Sequence, residues 1–447
     1  MGEVGRAWPL GSATGCLVLV GVSHHTAPVE VREKLVLDRT VWQTLAPRAP
    51  AVVILSTCNR TEVYAWAEGR VSRTSSALRS ALARRSGLAA SSLKPYLYIR
   101  TGRDALVHLM RVTAGLDSLA LGEDQIRGQV RDALGQAQAA GPLPPPLIRV
   151  FNRVLEVVRR IRAQTTIGRH PSLAAVALGL VEATSQLHGH ALAGKLVVVL
   201  GAGAMAKVAL PCLLDRGARV VLLNRTLERA ALLARAHPGA VTVAPLDALS
   251  ELLVHASLVV CATASRTPLL TWSMVSTAMD RHHGDGLVIV DLGVPRDVEP
   301  GVRAVPGVRL LDMDDLEQHC PATVQQRGES IARVEADIAV EADRIMCWLR
   351  LHAVSPAIAE LRGQAERIRQ RELHRSAGRL RDLTPEQHAA VDVLTERLLN
   401  KLLHGPTLAL RAAAVQPGHR RRRLALVHDI LSLDRCRDPR GAGSGRQ

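Results

Sequence analysis

Aromatic side chains are nearly missing from this sequence, with one Phe, three Tyr and five Trp among 447 residues, although apolar residues make up 47% of it. Its cores must therefore be built from Leu, Val and Ala. Long apolar runs are missing too: none approaches the ~20 residues that span a bilayer. The N-terminal stretch CLVLVGV (16–22) has the length of a strand, and no small-residue cleavage site follows it. The expectation is a cytoplasmic protein without a membrane partner. The seven cysteines (Cys16, Cys58, Cys212, Cys261, Cys320, Cys347 and Cys436) are odd in number, scattered, and contain no CxxC pair. Neither a disulfide framework nor a structural metal site is indicated, and free thiols are expected. Acidic residues are in deficit, 41 against 57 Lys and Arg, for a formal charge of +16. Such a field attracts a polyanion, whether nucleic acid or an acidic surface, although composition alone also produces it.

A chain of this length exceeds one hydrophobic core and should divide into two to four domains. Short apolar runs at 16–22 and 52–55 read as buried strands, and 72–86 and 103–138 carry helical spacing, which together predict a compact α/β domain. GPLPPPLIRV (141–150) interrupts the helical pattern, and helices follow at 147–163 and 172–187. From about 312 onward the texture is charged and Leu/Ala-rich with no strand signal. The segment 325–351 reads as one helix, too charged on most faces to be stable without a partner surface, hence a spine or dimerisation element. A short amphipathic helix and a polar, disordered tail close the chain.

Between 193 and 226 the pattern runs strand, Gly-rich turn, helix, strand, which is the βαβ unit of a nucleotide-binding fold, and strands at 257–263 and 286–295 extend its parallel sheet. In GAGAMA, Gly201 permits the tight turn, Gly203 lets the backbone approach a pyrophosphate, and Ala206 is small enough for close helix packing. Ala202, Ala204 and Met205 complete the loop, whose N–H groups at the helix start suit phosphates. At the end of the second strand stand Asn224, Arg225 and Thr226, where an NAD site usually carries an acid. An arginine there favours a 2′-phosphate, so NADPH is the expected cofactor.

In VVILSTCNRTEVYA (52–65) a strand runs out into polar residues around Cys58. A cysteine is often a small buried hydrophobe. Ahead of a nicotinamide domain, it is also suited to form an acyl intermediate that hydride reduces. Arg60 supplies positive charge to that thiol or binds a substrate carboxylate. His108 is flanked by apolar Ala105, Leu106, Leu109 and Met110 on a helix. That pattern fits a packed structural histidine, or a working one that stabilises charge or transfers a proton.

Seven stretches, VGVSHHTAPVEVREKL (20–35), STCNRTEVYA (56–65), HLMRVTAGLDSLALGEDQIRGQV (108–130), GAGAMA, NRT, DLGVPRDVEP (291–300) and LTERLLNKLLHGPTLALR (394–411), resemble in order and spacing the glutamyl-tRNA reductase family. The resemblance runs from about 17 to 433. It implies NADPH-dependent reduction of glutamyl-tRNA(Glu) to glutamate-1-semialdehyde through a thioester on Cys58, the first step of tetrapyrrole (porphyrin, haem) synthesis from glutamate. By the same resemblance, Thr57, Asn59 and Arg60 join Cys58 in the substrate loop. Ser118, Glu123, Asp124, Gln125 and Gln129 complete the glutamate pocket, and His108 is the activity-related histidine. It also implies a homodimer and associates the family with the aminomutase that consumes the aldehyde. Ala204 and Ala206 depart from the family's more usual Glu and Gly, and IGRHPSLAAVAL (167–178) is looser than its counterpart.

The expected architecture is α/β multidomain: an N-terminal α/β catalytic domain (16–165), a Rossmann NADPH domain (166–311), an all-helical dimerisation domain (312–433) and the tail (434–447). The competing readings are an oxidoreductase of a free metabolite, which has no use for the Cys58 loop, and a binding-only regulator, which has no need of Cys58, His108 and the Gly-rich loop together.

Overall fold

The computed structural model describes residues 15–37, 51–118, 125–165, 173–184, 192–263, 265, 267–282, 284, 286–319 and 328–415. The expected tail (434–447) and the last short helix lie outside these, as do residues 172 and 185–187 of the expected helix 172–187. The chain forms two compact units, Cys16–Ala342 and Asp343–Gln447 with Met1–Gly15.

The first unit holds two sheets. Strands β1 (Cys16–Ser23), β2 (Val52–Ser56), β3 (Arg60–Ala67) and β4 (Tyr98–Thr101) pair antiparallel in the order β2-β3-β1-β4. The sequence pattern gave no strand at β3, because it opens with Arg, Thr and Glu; in the fold all eight of its residues are buried. Side chains alternate across a sheet. Val63, Ala65 and Ala67 join Val18, Val20 and Val22 in an aliphatic layer under Leu78, Ala81 and Leu82 of the helix Val71–Ser86. Arg60, Glu62 and Tyr64 therefore take the other face. There Tyr64 meets Phe151 of the helix Pro145–Ala163 edge-on at 5.4 Å.

The helical spacing over 103–138 resolves into two helices, Gly102–Ala114 and Gln125–Ala139. Gly115, at φ +78°, ends the first in the left-handed conformation. The N–H groups of Gly115 and Leu116 bond the carbonyls of Val112 and Arg111, both at 3.0 Å, closing the helix as a Schellman cap does.

The second sheet is parallel, comprising β5 (Leu196–Leu200), β6 (Arg219–Leu223), β7 (Val241–Ala244), β8 (Leu258–Cys261), β9 (Leu287–Asp291) and β10 (Val308–Leu311). Its order, β7-β6-β5-β8-β9-β10, is that of a doubly wound dinucleotide fold. Both faces are covered, so its strands read as continuous apolar runs. Val197 and Val199 pack with the helices Leu173–Thr184 and Ala204–Leu214, while Val198 and Leu200 pack with Leu249, Leu253 and Val275.

The helix expected at 325–351 is far longer, with 53 residues from Gly328 to Leu380 and Pro356 inside it. Residues 325–327 lie outside the described ones. In the second unit a short link leads to the helix Pro385–Val415. Thr384 and Gln387 form a reciprocal capping box, Thr384 N–H to Gln387 Oε1 at 2.9 Å and Gln387 N–H to Thr384 Oγ1 at 3.3 Å. Arg369 Nη1 bonds Asp392 and Thr395 at 3.1 Å each, joining the two helices.

Gly201 follows β5 at φ +100°, and a Cβ there would stand 2.5 Å from the Ala262 carbonyl oxygen. Gly201→Ala should therefore lower stability by about 2 kcal/mol or more, through backbone strain and the collision, measured as a shift in the urea unfolding midpoint. An unchanged midpoint would show that the turn relaxes freely.

Candidate active site

Cys58 and Asn59 are the two central residues of the β2–β3 hairpin loop. The Thr57 N–H bonds the Arg60 carbonyl at 2.8 Å, closing the turn, and the Asn59 N–H bonds Thr57 Oγ1 at 3.2 Å. The Asn59 carbonyl accepts from the His24 N–H at 2.9 Å. The partly exposed Cys58 side chain packs against the apolar cluster of the nucleotide-binding sheet, not into the core of its own domain. A loop cysteine pressed against a neighbouring domain is poorly explained as a core hydrophobe.

Immediately behind the loop is a buried charge network. Arg60 is 1% exposed and Glu62 0%. Glu62 Oε1 receives Arg60 Nη1 at 3.0 Å, the Tyr98 hydroxyl at 2.6 Å and His108 Nε2 at 2.6 Å, and Oε2 receives the Tyr64 hydroxyl at 2.6 Å. Gly21 lies opposite Glu62 in the β1–β3 ladder, and a Cβ there would stand 2.8 Å from Glu62 Cγ, so glycine makes room for the carboxylate. Burial works against the Glu62 charge, but Arg60 and His108 outweigh it and hold the carboxyl far below its ordinary range. An ionised carboxylate only accepts, so His108 Nε2 carries a proton and donates it. Burial and the Glu62 charge push both tyrosine hydroxyls well up.

Arg60 reaches beyond Glu62. Its Nη1 donates to Asp117 Oδ2 at 2.9 Å and its Nη2 to the Asp117 carbonyl. Its fork is thus occupied by protein acceptors, and burial is overcome by Glu62 and neighbouring groups that raise its pKa. Asp117 is desolvated, yet Arg60 holds its carboxyl below the usual value. Two buried polar atoms in this region, Asn59 Oδ1 and Arg60 Nε, have no hydrogen-bond partner among the described residues. A buried acceptor and a buried donor in the two residues that follow Cys58 suit a polar ligand, since such groups are ordinarily paired.

Of the other expected pocket residues, Glu123 and Asp124 lie outside the described ones. Ser118 is partly exposed next to Asp117, and Gln125 opens the helix Gln125–Ala139. Gln129, on the same helix, lines a cavity of about 230 Å³ together with Ser56, Ile54 and Asp132.

At the carboxyl ends of β5 and β8, where the strand order reverses, Gly203 caps the helix Ala204–Leu214. Ala202 and Met205 pack partly buried on the core, and Ala206 is fully buried in it. The Gly201 N–H bonds the Leu223 carbonyl at 2.8 Å, bringing the Gly-rich turn beside the end of β6. There Asn224 Nδ2 bonds the Thr226 carbonyl at 2.8 Å, and Arg225 is exposed. An open helix N-terminus with a cation at the neighbouring strand end fits a phosphorylated dinucleotide. At the end of β9, burial pushes Asp291 up to about 7, despite bonds from the Gly293 and Val298 N–H groups.

Three family descriptions match the chain in order: glutamyl-tRNAGlu reductase, N-terminal domain, at 20–165; shikimate / quinate 5-dehydrogenase at 182–319; and glutamyl-tRNAGlu reductase, dimerisation domain, at 333–433. A glutamyl-tRNA reductase of Rubrobacter xylanophilus is 37% identical over 95% of this chain and 100% of its own, and one of Sorangium cellulosum 36% identical over 90% and 79%. The chain belongs to the glutamyl-tRNA reductase family. Among solved structures, the Methanopyrus kandleri glutamyl-tRNA reductase is 29% identical, covers 94% of this chain and 99% of its own, and superposes with a TM-score of 0.46. By these family matches and relatives, the chain is an oxidoreductase with a dehydrogenase-type pyridine-nucleotide domain and a dimerisation domain. Among the described residues no helix is long and apolar enough to cross a membrane, and no group of His, Cys, Asp or Glu could hold a metal ion.

Sequence reasoning missed Glu62, Tyr98, Asp117 and His24, although three of them lie inside the quoted motifs. The available signal was polarity: Glu62 alternates with Arg60 and Tyr64 on β3, so the three share one buried face. Burial first, then the charges of His25 and Arg60, lowers His24 to about 3 from 6.5. The unfolded chain therefore takes up this proton first as pH falls. The stability His24 confers is complete above 6.5 and is lost between 6.5 and 3, by roughly 2 kcal/mol at pH 5. Urea midpoints at pH 7, 6 and 5 should fall in the parent, and His24→Asn should flatten that slope by about one proton. An equal slope in both would assign the dependence to other groups.

Proposed function

We propose that the protein reduces glutamyl-tRNA(Glu) to glutamate-1-semialdehyde with NADPH, at the head of tetrapyrrole synthesis. The observation that carries this reading is the Cys58 thiol, presented on a tight hairpin against the apolar cluster of the pyridine-nucleotide domain. In this mechanism the Cys58 sulfur attacks the aminoacyl ester carbon. A C–S bond forms, the C–O bond to the terminal ribose breaks, and the ribose hydroxyl recovers a proton as tRNA departs. NADPH, when bound, supplies the hydride that reduces the thioester to the aldehyde. Cys58 then leaves as thiolate and is reprotonated.

The remaining roles rest on membership of the family and, for the described residues, are supported by the geometry around Cys58. Thr57 and Asn59 shape the loop, Asn59 Oδ1 and Arg60 Nε offer substrate contacts, and Ser118, Glu123, Asp124, Gln125 and Gln129 complete the glutamate pocket. The His108 Nε2–H donates a hydrogen bond to Glu62, leaving Nδ1 for proton transfer. Gly201 to Ala206 hold the pyrophosphate, and Asn224, Arg225 and Thr226 the adenosine 2′-phosphate. The +16 charge supplies the field for tRNA. Leu394, Leu398 and Leu402 expose an apolar stripe at helical spacing, the face on which two copies pair. Soluble substrates put the reaction in the cytoplasm, where the next enzyme, an aminomutase, takes the aldehyde.

Cys58→Ser should lower semialdehyde formation by several orders of magnitude while NADPH still binds, because a serine hydroxyl is almost wholly protonated at neutral pH. Without NADPH, radiolabelled glutamate should accumulate on Cys58 of the parent or be slowly hydrolysed. Near-parent activity in the variant, or label on another cysteine, would remove Cys58 from the mechanism. Arg225→Ala should raise the KM for NADPH by roughly tenfold or more, and that for NADH little, through loss of a charge-assisted contact. Equal parent kinetics with both cofactors would overturn the NADPH assignment.

A further inference from the structure

Arg32 takes part in no step above, yet it is only 2% exposed, in the short helix Val29–Arg32. Its donors reach three separate segments. Nε bonds the Ala27 carbonyl at 3.1 Å, Nη1 the Cys58 carbonyl at 2.7 Å, and Nη2 Asp314 Oδ1 at 2.7 Å. Ala27 and Cys58 belong to the domain that presents the thiol. Asp314 lies on the helix Met313–His319, which follows the last strand of the nucleotide-binding sheet. The other Asp314 oxygen accepts from the Val29 N–H at 3.1 Å, so the carboxylate grips the Arg32 helix at both its ends.

A second clasp lies nearby. Arg296 Nη2 bonds Glu33 and Nη1 bonds Glu30, both at 2.9 Å, linking the β9–β10 connection to the same helical turn. The two clasps differ in one respect, since the bonds of Arg296 go to the two carboxylates and those of Arg32 reach the Cys58 peptide itself. A lysine could satisfy one of the Arg32 acceptors. Only a planar fork holds two acceptors on different elements at a fixed mutual angle. The peptide plane that aims the thiol is therefore located against the nucleotide domain as well as by its own strands.

Accepting the thioester reading above, the two chemical steps differ in what they need. Acyl transfer to sulfur needs the substrate and the thiol, whereas hydride transfer also needs the thioester in register with the nicotinamide. We propose that Arg32 is a positioning residue which, through Asp314, registers the Cys58 loop against the nucleotide domain, so that the pair governs hydride transfer and not acyl transfer.

The test separates the two steps. Hydrolysis of glutamyl-tRNA without NADPH reports acyl transfer, and single-turnover semialdehyde formation with saturating NADPH reports reduction. Asp314→Ala should slow reduction about tenfold to a hundredfold, the scale of a small misplacement, with hydrolysis little changed. Asp314→Glu should restore part of the rate. Arg32→Ala combined with Asp314→Ala should be no slower than Arg32→Ala alone, because the effect of Asp314 passes through Arg32. Arg296→Ala, which breaks the clasp without touching the loop, should leave the ratio of the two steps as in the parent.

The proposal is overturned if Asp314→Ala slows both steps equally, if Arg296→Ala shifts the ratio as far, or if the Arg32 and Asp314 effects add. Should Arg32→Ala not fold, the two Asp314 variants still decide, since Asp314 is partly exposed. A parent that makes no semialdehyde from glutamyl-tRNA and NADPH overturns the functional reading and this proposal with it. A parent that does, with any of the adverse results, overturns this proposal alone.

Discussion

The Glu62 carboxylate is the point on which the N-terminal α/β domain turns. It sits at 0% exposure and gathers a guanidinium, two phenols and an imidazole. Removing one partner of such a buried pair typically costs about 3–5 kcal/mol, because the remaining charge has nowhere to go. That energetic bond ties β3 to β4 through Tyr98 and to the helix Gly102–Ala114 through His108. The residues that define the loop beyond it, Cys58 and Asn59, inherit their position from Arg60.

The nucleotide-binding sheet meets this arrangement from the other side. Its apolar cluster receives Cys58, and its last helix receives Arg32. The thiol is thereby constrained twice, through side chain and carbonyl, by a domain that begins more than a hundred residues later in the chain. The Gly-rich turn belongs to the same sheet, at the point where the strand order reverses. The Cys58 loop and the candidate dinucleotide site thus belong to one packed unit.

Much of this was legible from sequence because local pattern sufficed. β1, β2 and the βαβ unit are short apolar runs bounded by turn residues, and GAGAMA carries its own explanation in Gly201. β3 was illegible because its first three residues are polar, and only the tertiary fold makes buried Arg and Glu affordable. The network escaped notice for a different reason. Glu62 lies 36 residues from Tyr98 and 46 from His108, Arg60 lies 57 from Asp117, and Arg32 lies 282 from Asp314. No periodicity spans such separations. The long helix was underestimated because Pro356, ordinarily a breaker, sits inside it.

The alternation along β3 has a consequence for how this region can vary. Arg60, Glu62 and Tyr64 hold one face and Val63, Ala65 and Ala67 the other, so a substitution alters the contacts of one side chain on one face. An inserted or deleted residue within the strand rotates everything beyond it by half a turn. The carboxylate would then enter the aliphatic layer and a valine would meet the guanidinium. Point changes in this segment are thus graded in effect, while changes of length are all-or-none, and the distance in residues from Cys58 to Glu62 works as a ruler that drift can recolour but not rescale.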